Sequence, residues 1–272
     1  ITQRIADWIT QTLVPVSDHV VDLHSGGRSL NFAPSILLHE VPGEAMKVAK
    51  LAAIAFGAPF TVLIHEDHAD VMIDAVVEKL GKVMIASELG GSGIITHQTV
   101  TLATQGLSRM VAALGHLSIQ EPLTPSRLVR LPSSDTYLVS EDVMVFAPAL
   151  SLGAFVRQGD TVGHGHFLDR VDCRPRTYTA PHDGWAICLA GQGLTRRGDV
   201  IAIVGQRLRV RHVYLPGIFT RWRTPIHAIT PYIQFDCSGI GQFASQHTHS
   251  LVNNVTFCQS GSIQVYSFSQ SY

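Results

Sequence analysis

Two short motifs place an ionisable side chain and several glycines directly after a predicted strand. Residues 22–27 (DLHSGG) end an apolar run with the imidazole of His24, and residues 88–93 (ELGGSG) follow another apolar run with the carboxylate of Glu88. Imidazoles bind metals, and carboxylates act as general bases. The pattern therefore favours a metal-binding histidine and a general base at one edge of a sheet.

The residue pattern also indicates how His24 would be held. Strand side chains alternate between faces, so Asp22 shares a face with His24 and is placed to orient its ring. The glycines would let a substrate approach closely. Polar residues at strand ends without any chemical role show the same patterns, so this alternative stays open. A further motif, residues 65–68 (HEDH), resembles a metal site but is also typical of a helix cap.

Residues 1–120 alternate between helical and strand-like patterns. Apolar residues at helical spacing predict helices at residues 5–13, 44–56, 68–80 and 98–114. Short apolar runs predict strands at residues 19–24, 60–65 and 83–87. Strands that alternate with helices favour crossover connections, so we predict an α/β domain with a parallel or mixed sheet.

A change of pattern after residue 120 predicts a second domain over residues 121–208. Short strands and an internal repeat replace the helices, and each copy reads Ala-Pro, then Gly and apolar residues, then Arg-x-Gly-Asp. Two such copies predict a small all-β sandwich that resembles lipoyl and biotinyl carrier domains. Such carriers need a lysine between the halves, and the last lysine of this chain is Lys82. A carrier role is therefore excluded.

Composition excludes several classes of protein. The chain has 272 residues, is 46% hydrophobic and 15% charged, and has a formal net charge of -1. A nearly neutral chain lacks the basic field that would hold a phosphate backbone, so we expect no nucleic-acid partner. No apolar run reaches the roughly 18 residues that span a bilayer, so we expect no membrane partner. Four cysteines without CxxC spacing are typical of free thiols, which favours a cytoplasmic protein.

The last segment, residues 209–272, differs in composition from the rest. It contains neither glutamate nor lysine and is rich in Ser, Gln, Thr and aromatic residues. We interpret it as an atypical tail that is poorly ordered or not native to the family.

Four stretches together carry a resemblance to a known family. They read VVDLHSGG, FGAP…VLIHED, GKVMIASELGGSG and TAPHDGWAICLAGQGLTRRGDVIAIVG. Up to about residue 208 the chain resembles the succinylglutamate desuccinylase/aspartoacylase family, in the branch that contains N-acetyl-diaminobutyrate deacetylase. The resemblance implies a zinc-carboxypeptidase-like α/β domain followed by a β-domain. It also implies hydrolysis of the amide bond in N-acyl amino acids.

The resemblance assigns roles to single residues. It implies that His24 is the third zinc ligand and that Glu88 is the catalytic general base. Arg28, just beyond the zinc motif, has the guanidinium geometry that suits a substrate carboxylate, although a solvated loop arginine would look the same. A homo-oligomer is compatible with the family.

One family motif is missing from the sequence. The family's other two zinc ligands come from an upstream His-x-x-Glu motif, which we do not find ahead of His24. We therefore expect residues 1–120 to be the C-terminal part of the family's α/β domain, and the chain to be a fragment. A catalytic zinc normally has three protein ligands, so we also expect an incomplete ligand set and an inactive isolated chain. The alternative is a non-catalytic binding or structural protein that keeps the fold without a complete metal site.

Overall fold

The computed structural model describes residues 1–64, 72–117, 126–132, 136–170 and 172–208, together with the backbone of 251–259 and 262–270. The HEDH motif at residues 65–68 and most of the atypical tail lie outside the described residues.

The structure describes four α-helices, all in the first half of the chain. They are α1 (Thr2–Trp8), α2 (Glu44–Phe56), α3 (Ile73–Lys79) and α4 (His97–Ala113). A π-helical turn, Ile9–Leu13, continues α1, and a 3₁₀ turn, Val14–Val16, follows it. The helices near 44–56 and 98–114 were predicted to within one residue. No described helix is both long and apolar enough to cross a bilayer.

Sixteen strands are described. The first five belong to the α/β part: β1 (His19–His24), β2 (Leu30–Phe32), β3 (Ser35–His39), β4 (Phe60–Ile64) and β5 (Val83–Glu88). Nine more follow in the second half: β6 (Arg127–Leu131), β7 (Tyr137–Val139), β8 (Met144–Pro148), β9 (Phe155–Val156), β10 (Thr161–His166), β11 (Arg176–Thr179), β12 (Gly184–Ala190), β13 (Leu194–Thr195) and β14 (Val200–Arg207). The last two are β15 (Leu251–Gln259) and β16 (Ser262–Gln270).

The central sheet is mixed, as one of the two predicted arrangements requires. Strand β1 pairs with β5 in parallel, and β4 pairs in parallel with both β3 and β6. Strand β3 runs antiparallel to β5, because the chain reverses its direction between β1 and β4. The reversal takes place through β2 and β3, two strands that the sequence did not predict. These pairings give an α/β fold with a mixed sheet.

The two faces of the sheet pack against different helices. Val21, Ile36 and Ile85 face α2 and α4, where they form a buried core with Phe56 and Met110. The opposite face presents Val20 and Met84 to the N-terminal helical segment and to Val77 of α3. Because side chains alternate along a strand, Asp22, His24 and Glu88 belong to this second face.

The strands of the second half divide between two sheets. Strands β6, β12 and β14 are hydrogen-bonded into the central sheet, and β12 also pairs with β2. Strands β8, β10, β11 and β13 form a separate four-stranded sheet. Because strands of residues 121–208 belong to both sheets, the pairing does not mark where an independent all-β domain would begin or end. The domain boundaries at 121–208 stay a prediction.

The internal repeat corresponds to a turn that occurs twice. Asp160 Oδ2 accepts a hydrogen bond from the backbone N–H of Arg157 at 2.8 Å, and Asp199 Oδ2 accepts one from Arg196 at 2.7 Å. Each Gly-Asp pair thus closes a turn between two strands. This equivalence explains the repeated Arg-x-Gly-Asp pattern.

Part of the tail is strand. Strands β15 and β16 form an antiparallel hairpin, and β15 pairs antiparallel with β1. The interpretation of residues 209–272 as poorly ordered or non-native stays a prediction.

Candidate active site

His24 and Glu88 lie side by side at the carboxyl ends of neighbouring parallel strands. They are partners in the register between β1 and β5, and His24 Nε2 lies 3.5 Å from Glu88 Oε1. Both side chains are mostly buried. In open α/β sheets, ligands bind at this end of the strands. The structure therefore brings together the two residues that the sequence singled out.

Asp22 and Ser87 hold His24 in position. Asp22 Oδ2 lies 3.3 Å from His24 Nδ1, on the side of the ring opposite Glu88. The Ser87 hydroxyl accepts a hydrogen bond from the backbone N–H of His24 at 3.1 Å. Sequence reasoning found Asp22 through strand alternation but missed Ser87, because only the register between two strands 60 residues apart reveals it.

Burial and the charges of neighbouring side chains shift the pKa values of both His24 and Glu88. Burial lowers the pKa of His24, but the hydrogen bonds and charges of Asp22 and Glu88 outweigh it and raise the pKa to about 10. Burial also raises the pKa of Glu88, and the attraction of His24 opposes this shift. The imidazole therefore carries a proton between two carboxylates near neutral pH.

The donor set provides part of a metal site. Asp22 Oδ1 and Glu88 Oε2 are buried without a hydrogen-bond partner, as expected of groups that await a ligand. Within the described ranges, however, no three His, Cys, Asp or Glu side chains come together to hold a metal ion. The described residues alone therefore do not fit the three-ligand site of a catalytic zinc.

Arg28 lies at the exposed rim of the same region. Its Cγ is 3.6 Å from the position that a Cβ on Gly93 would occupy, so the loop after β1 runs beside the loop after β5. The predicted role of Arg28 in binding a substrate carboxylate stays a prediction.

Backbone hydrogen bonds tie the two glycine-rich loops together. The Ser92 N–H donates to the Leu30 carbonyl at 2.9 Å, and the Gly93 N–H donates to the Gly27 carbonyl at 2.8 Å. At Gly91 the backbone has a φ of 155°, and a Cβ there would lie 2.0 Å from the Leu30 oxygen. The second motif needs glycine at this position because the loops approach so closely.

A second polar group shares the cavity beside His24 and Glu88. The cavity has a volume of about 230 Å³ and is also lined by His39, Asp74 and Glu78. Sequence reasoning missed these three residues. The i, i+4 spacing of Asp74 and Glu78 on a predicted helix was a usable signal, whereas the position of His39 opposite them depends on the unforeseen strand β3.

Comparison with known proteins identifies the family. The model of the succinylglutamate desuccinylase/aspartoacylase catalytic domain matches residues 1–114. Residues 1–114 belong to the succinylglutamate desuccinylase/aspartoacylase family. The similar proteins include one named as a deacetylase and one named as a desuccinylase.

Similar proteins extend the likeness to about three quarters of the chain. An N-alpha-acetyl-L-2,4-diaminobutyric acid deacetylase of Halomonas elongata is 32% identical over 209 residues, covering 76% of this chain and 61% of the relative. The product-bound ectoine utilization protein EutE of Ruegeria pomeroyi is 34% identical with a TM-score of 0.72, covering 76% of this chain and 63% of that one. A succinylglutamate desuccinylase of Silicibacter sp. is also 34% identical with a TM-score of 0.72, covering 76% and 64%.

The match covers only part of each of these similar proteins. This chain spans less than two thirds of the length of each of these family members. The activity of a whole family member therefore enters below as a proposal.

Replacing Gly91 with alanine should destabilise the fold more than a matched glycine replacement. Gly159 also has a positive φ, +87°, but nothing lies within 4 Å of its added Cβ. We expect Gly159→Ala to cost roughly 1 kcal/mol from backbone strain and Gly91→Ala about 3 kcal/mol or more, because a steric clash adds to the strain. Chemical denaturation of both variants measures the difference, and equal costs would contradict the close approach.

The protonated His24 should make stability depend on pH in the alkaline range. Its pKa is about 10 in the folded chain and 6.5 without the fold, so the folded state holds the proton more tightly. This stabilisation is complete below pH 6.5 and is lost as the pH rises through about 10. We expect the free energy of unfolding to fall by roughly 2–4 kcal/mol between pH 7 and pH 10.

Denaturation curves at several pH values check this. His24→Asn should flatten the dependence, while the exposed His166→Asn should leave it unchanged. A dependence that survives His24→Asn would assign the proton to another group.

Proposed function

We propose that this chain is the major part of a zinc-dependent hydrolase that cleaves the amide bond of N-acyl amino acids. The observation that carries the proposal is the contact of His24 with Glu88 at the carboxyl ends of β1 and β5. Membership of the succinylglutamate desuccinylase/aspartoacylase family supports it, as does the deacetylase activity for which the Halomonas elongata relative is named. The substrate is a small N-acylated amino acid.

Glu88 acts as the general base. Its buried carboxylate has one oxygen, Oε2, without a partner, which is available to accept a proton from a hydrolytic water. Burial raises its pKa, which makes it a stronger base than an exposed carboxylate. The same group can then return the proton to the leaving amine.

His24 supplies one metal ligand, and Asp22 orients it. Bound zinc would activate a water and polarise the acyl carbonyl. His24 would be the ligand, and Asp22, 3.3 Å from its Nδ1, would keep the ring aimed at the site. The remaining ligands come from outside the described residues.

Arg28 binds the carboxylate of the substrate in this proposal. Arg28 is exposed on the loop after β1, beside Gly93 in the loop that follows Glu88. A guanidinium matches the two oxygens of a carboxylate.

The free thiols of Cys173 and Cys188 fit the cytoplasmic location that we expect.

A non-catalytic binding protein is the second candidate. It is favoured by the lack of three metal-ligating side chains in one place within the described part of the chain. Such a protein would keep the cavity and the fold without hydrolysing its ligand.

The isolated 272-residue chain should hold zinc weakly. One imidazole ligand in place of three gives little affinity, so we expect well below one zinc ion per chain after dialysis, and no amide hydrolysis. Metal analysis by mass spectrometry measures the content. One tightly held zinc per chain that is lost in His24→Ala would show that the chain completes the site itself.

Glu88→Gln should abolish hydrolysis in a completed enzyme. We would join this chain to the part of the Ruegeria pomeroyi protein that lies outside the matched region, and assay release of acetate from N-acetyl amino acids. Loss of the base should lower kcat by about 10²–10⁴.

Glu44→Gln is the matched control, because that glutamate is exposed at the start of α2 and is not among the residues that line the cavity. Equal activity of the Glu88→Gln and Glu44→Gln chimeras would refute the role of Glu88. A folded chimera that binds substrate without hydrolysing it would favour the binding protein.

A further inference from the structure

Two imidazoles meet at the amino end of β1, the end opposite to the candidate active site. His19 begins β1 and His116 follows α4, and their ring centres are 5.4 Å apart with the ring planes at 81°. Strand β1 has six residues from His19 to His24, so the histidine pair lies roughly 16 Å from the active-site imidazole. The proposed hydrolytic reaction uses neither ring.

Strand alternation and the end of α4 bring the pair together. His19 shares a sheet face with Val21, which belongs to the core beneath α2 and α4. Leu114, directly after α4, packs against the same core. The backbone N–H of His116 then donates to the Val111 carbonyl at 3.1 Å, which fixes the backbone of His116 to the end of the helix. The contact between the two rings therefore follows from the packing of α4 on the sheet.

Each ring has one buried nitrogen that lacks a hydrogen-bond partner within the described part of the chain. These atoms are Nδ1 of His19 and Nε2 of His116. Most buried polar atoms in folded proteins have a partner, and an atom without one calls for an explanation. Two such atoms, on two rings in contact, indicate a ligand that both rings share.

The charge state of His19 favours a metal ion as this ligand. Burial and the charge of His116 lower the pKa of His19, although Asp18 opposes the shift. The ring is therefore neutral at neutral pH, and the neutral imidazole is the form that binds metals. A metal ion between two neutral rings avoids the repulsion that two neighbouring imidazolium ions would have.

The spacing of the rings also agrees with a shared metal ion. Two imidazoles on one tetrahedral zinc, with Zn–N distances of about 2.0–2.1 Å, have ring centres about 5 Å apart. Two imidazoles bridged by one water, with hydrogen bonds of about 2.9 Å, have ring centres about 6.5 Å apart. The observed separation of 5.4 Å is closer to the first value.

We propose that His19 and His116 form a metal site of their own, which binds a borderline divalent cation such as Zn²⁺ through His19 Nδ1 and His116 Nε2. Imidazole nitrogens suit such ions, whereas Mg²⁺ prefers oxygen ligands. No third metal-ligating side chain joins the pair among the described residues, so water completes the coordination. The site goes beyond the proposed hydrolysis and does not depend on it.

The role of the ion is structural. It would join the start of β1 to the segment after α4, two parts of the chain that are almost 100 residues apart in sequence. Metal binding of this kind adds to the stability of the folded state. Two imidazoles hold an ion less tightly than three or four ligands, so the site fills when metal is added and empties on dialysis.

Calorimetric titration with Zn²⁺ tests the site. The parent for all titrations is the His24→Ala chain, in which the active-site imidazole cannot contribute. We expect His19→Asn and His116→Asn each to lower the Zn²⁺ affinity at least about tenfold, because even residues that only orient a metal ligand change the affinity 10–100-fold when they are replaced. The double variant should resemble either single one, and Mg²⁺ should not bind.

His166→Asn is the control, because that histidine is exposed, and it should leave the affinity unchanged. Melting curves check that each variant is folded, and they give a second readout. Excess Zn²⁺ should raise the melting temperature of the parent and of the control, but not that of the His19 and His116 variants. An affinity that survives both substitutions in folded chains, or that falls in only one of them or equally in the control, overturns the site.

This site and the proposed hydrolase fail separately. If Glu88→Gln leaves the chimera active while Zn²⁺ binding requires His19 and His116, the general base is wrong and the metal site stands. If Zn²⁺ binding ignores both histidines while Glu88→Gln abolishes hydrolysis, the metal site is wrong and the base stands.

Discussion

The parallel pairing of β1 with β5 is the constraint on which the site depends. These strands are separated by about 60 residues of chain, yet their register sets His24 directly beside Glu88. A shift of one residue would turn one of the two side chains to the opposite face, where α2 and α4 pack. The buried apolar residues Val21, Leu23 and Ile85 prevent such a shift, because they fill the core on that face.

Burial of this polar group requires compensation that the fold supplies locally. A protonated His24 lies between Asp22 and Glu88, so each charge has an opposite neighbour. The backbone of the strand ends is satisfied by Ser87 and by the hydrogen bonds between the glycine-rich loops. The glycines therefore allow the two loops to approach and to bond to each other.

The sequence predicted the parts of the fold that depend on local pattern. Strand β1, helix α2 and helix α4 follow from apolar spacing, and the two polar motifs follow from their position after strands. Strand β2 was missed because it has only three residues. Strand β3 is as long as β4 and has an apolar run, but it follows β2 without a helix, so the expected alternation of strands and helices does not reveal it. Since β3 reverses direction and carries His39, the second polar group of the cavity could not be predicted either.

The division of the second half into domains shows the same limit. Its repeated Gly-Asp turns depend on local sequence and were predicted. The pairing of β6, β12 and β14 with the central sheet depends on distant residues and was not predicted. Phe32 of β2 lies opposite Cys188 of β12, and the two are buried in one cluster with Ile187. Such long-range pairing is decided by which apolar surfaces meet, and a single sequence gives their composition without their partners.

The polar face of the sheet is better explained by ligand binding than by stability. One face of β1, β3 and β5 is filled with aliphatic side chains, while the other carries Asp22, His24 and Glu88 close together and His39 further along the sheet. Apolar residues of similar size at these positions would avoid the cost of desolvating several charges. A fold that needed only to be stable would have no use for this arrangement, whereas a protein that binds a charged substrate and moves a proton requires it.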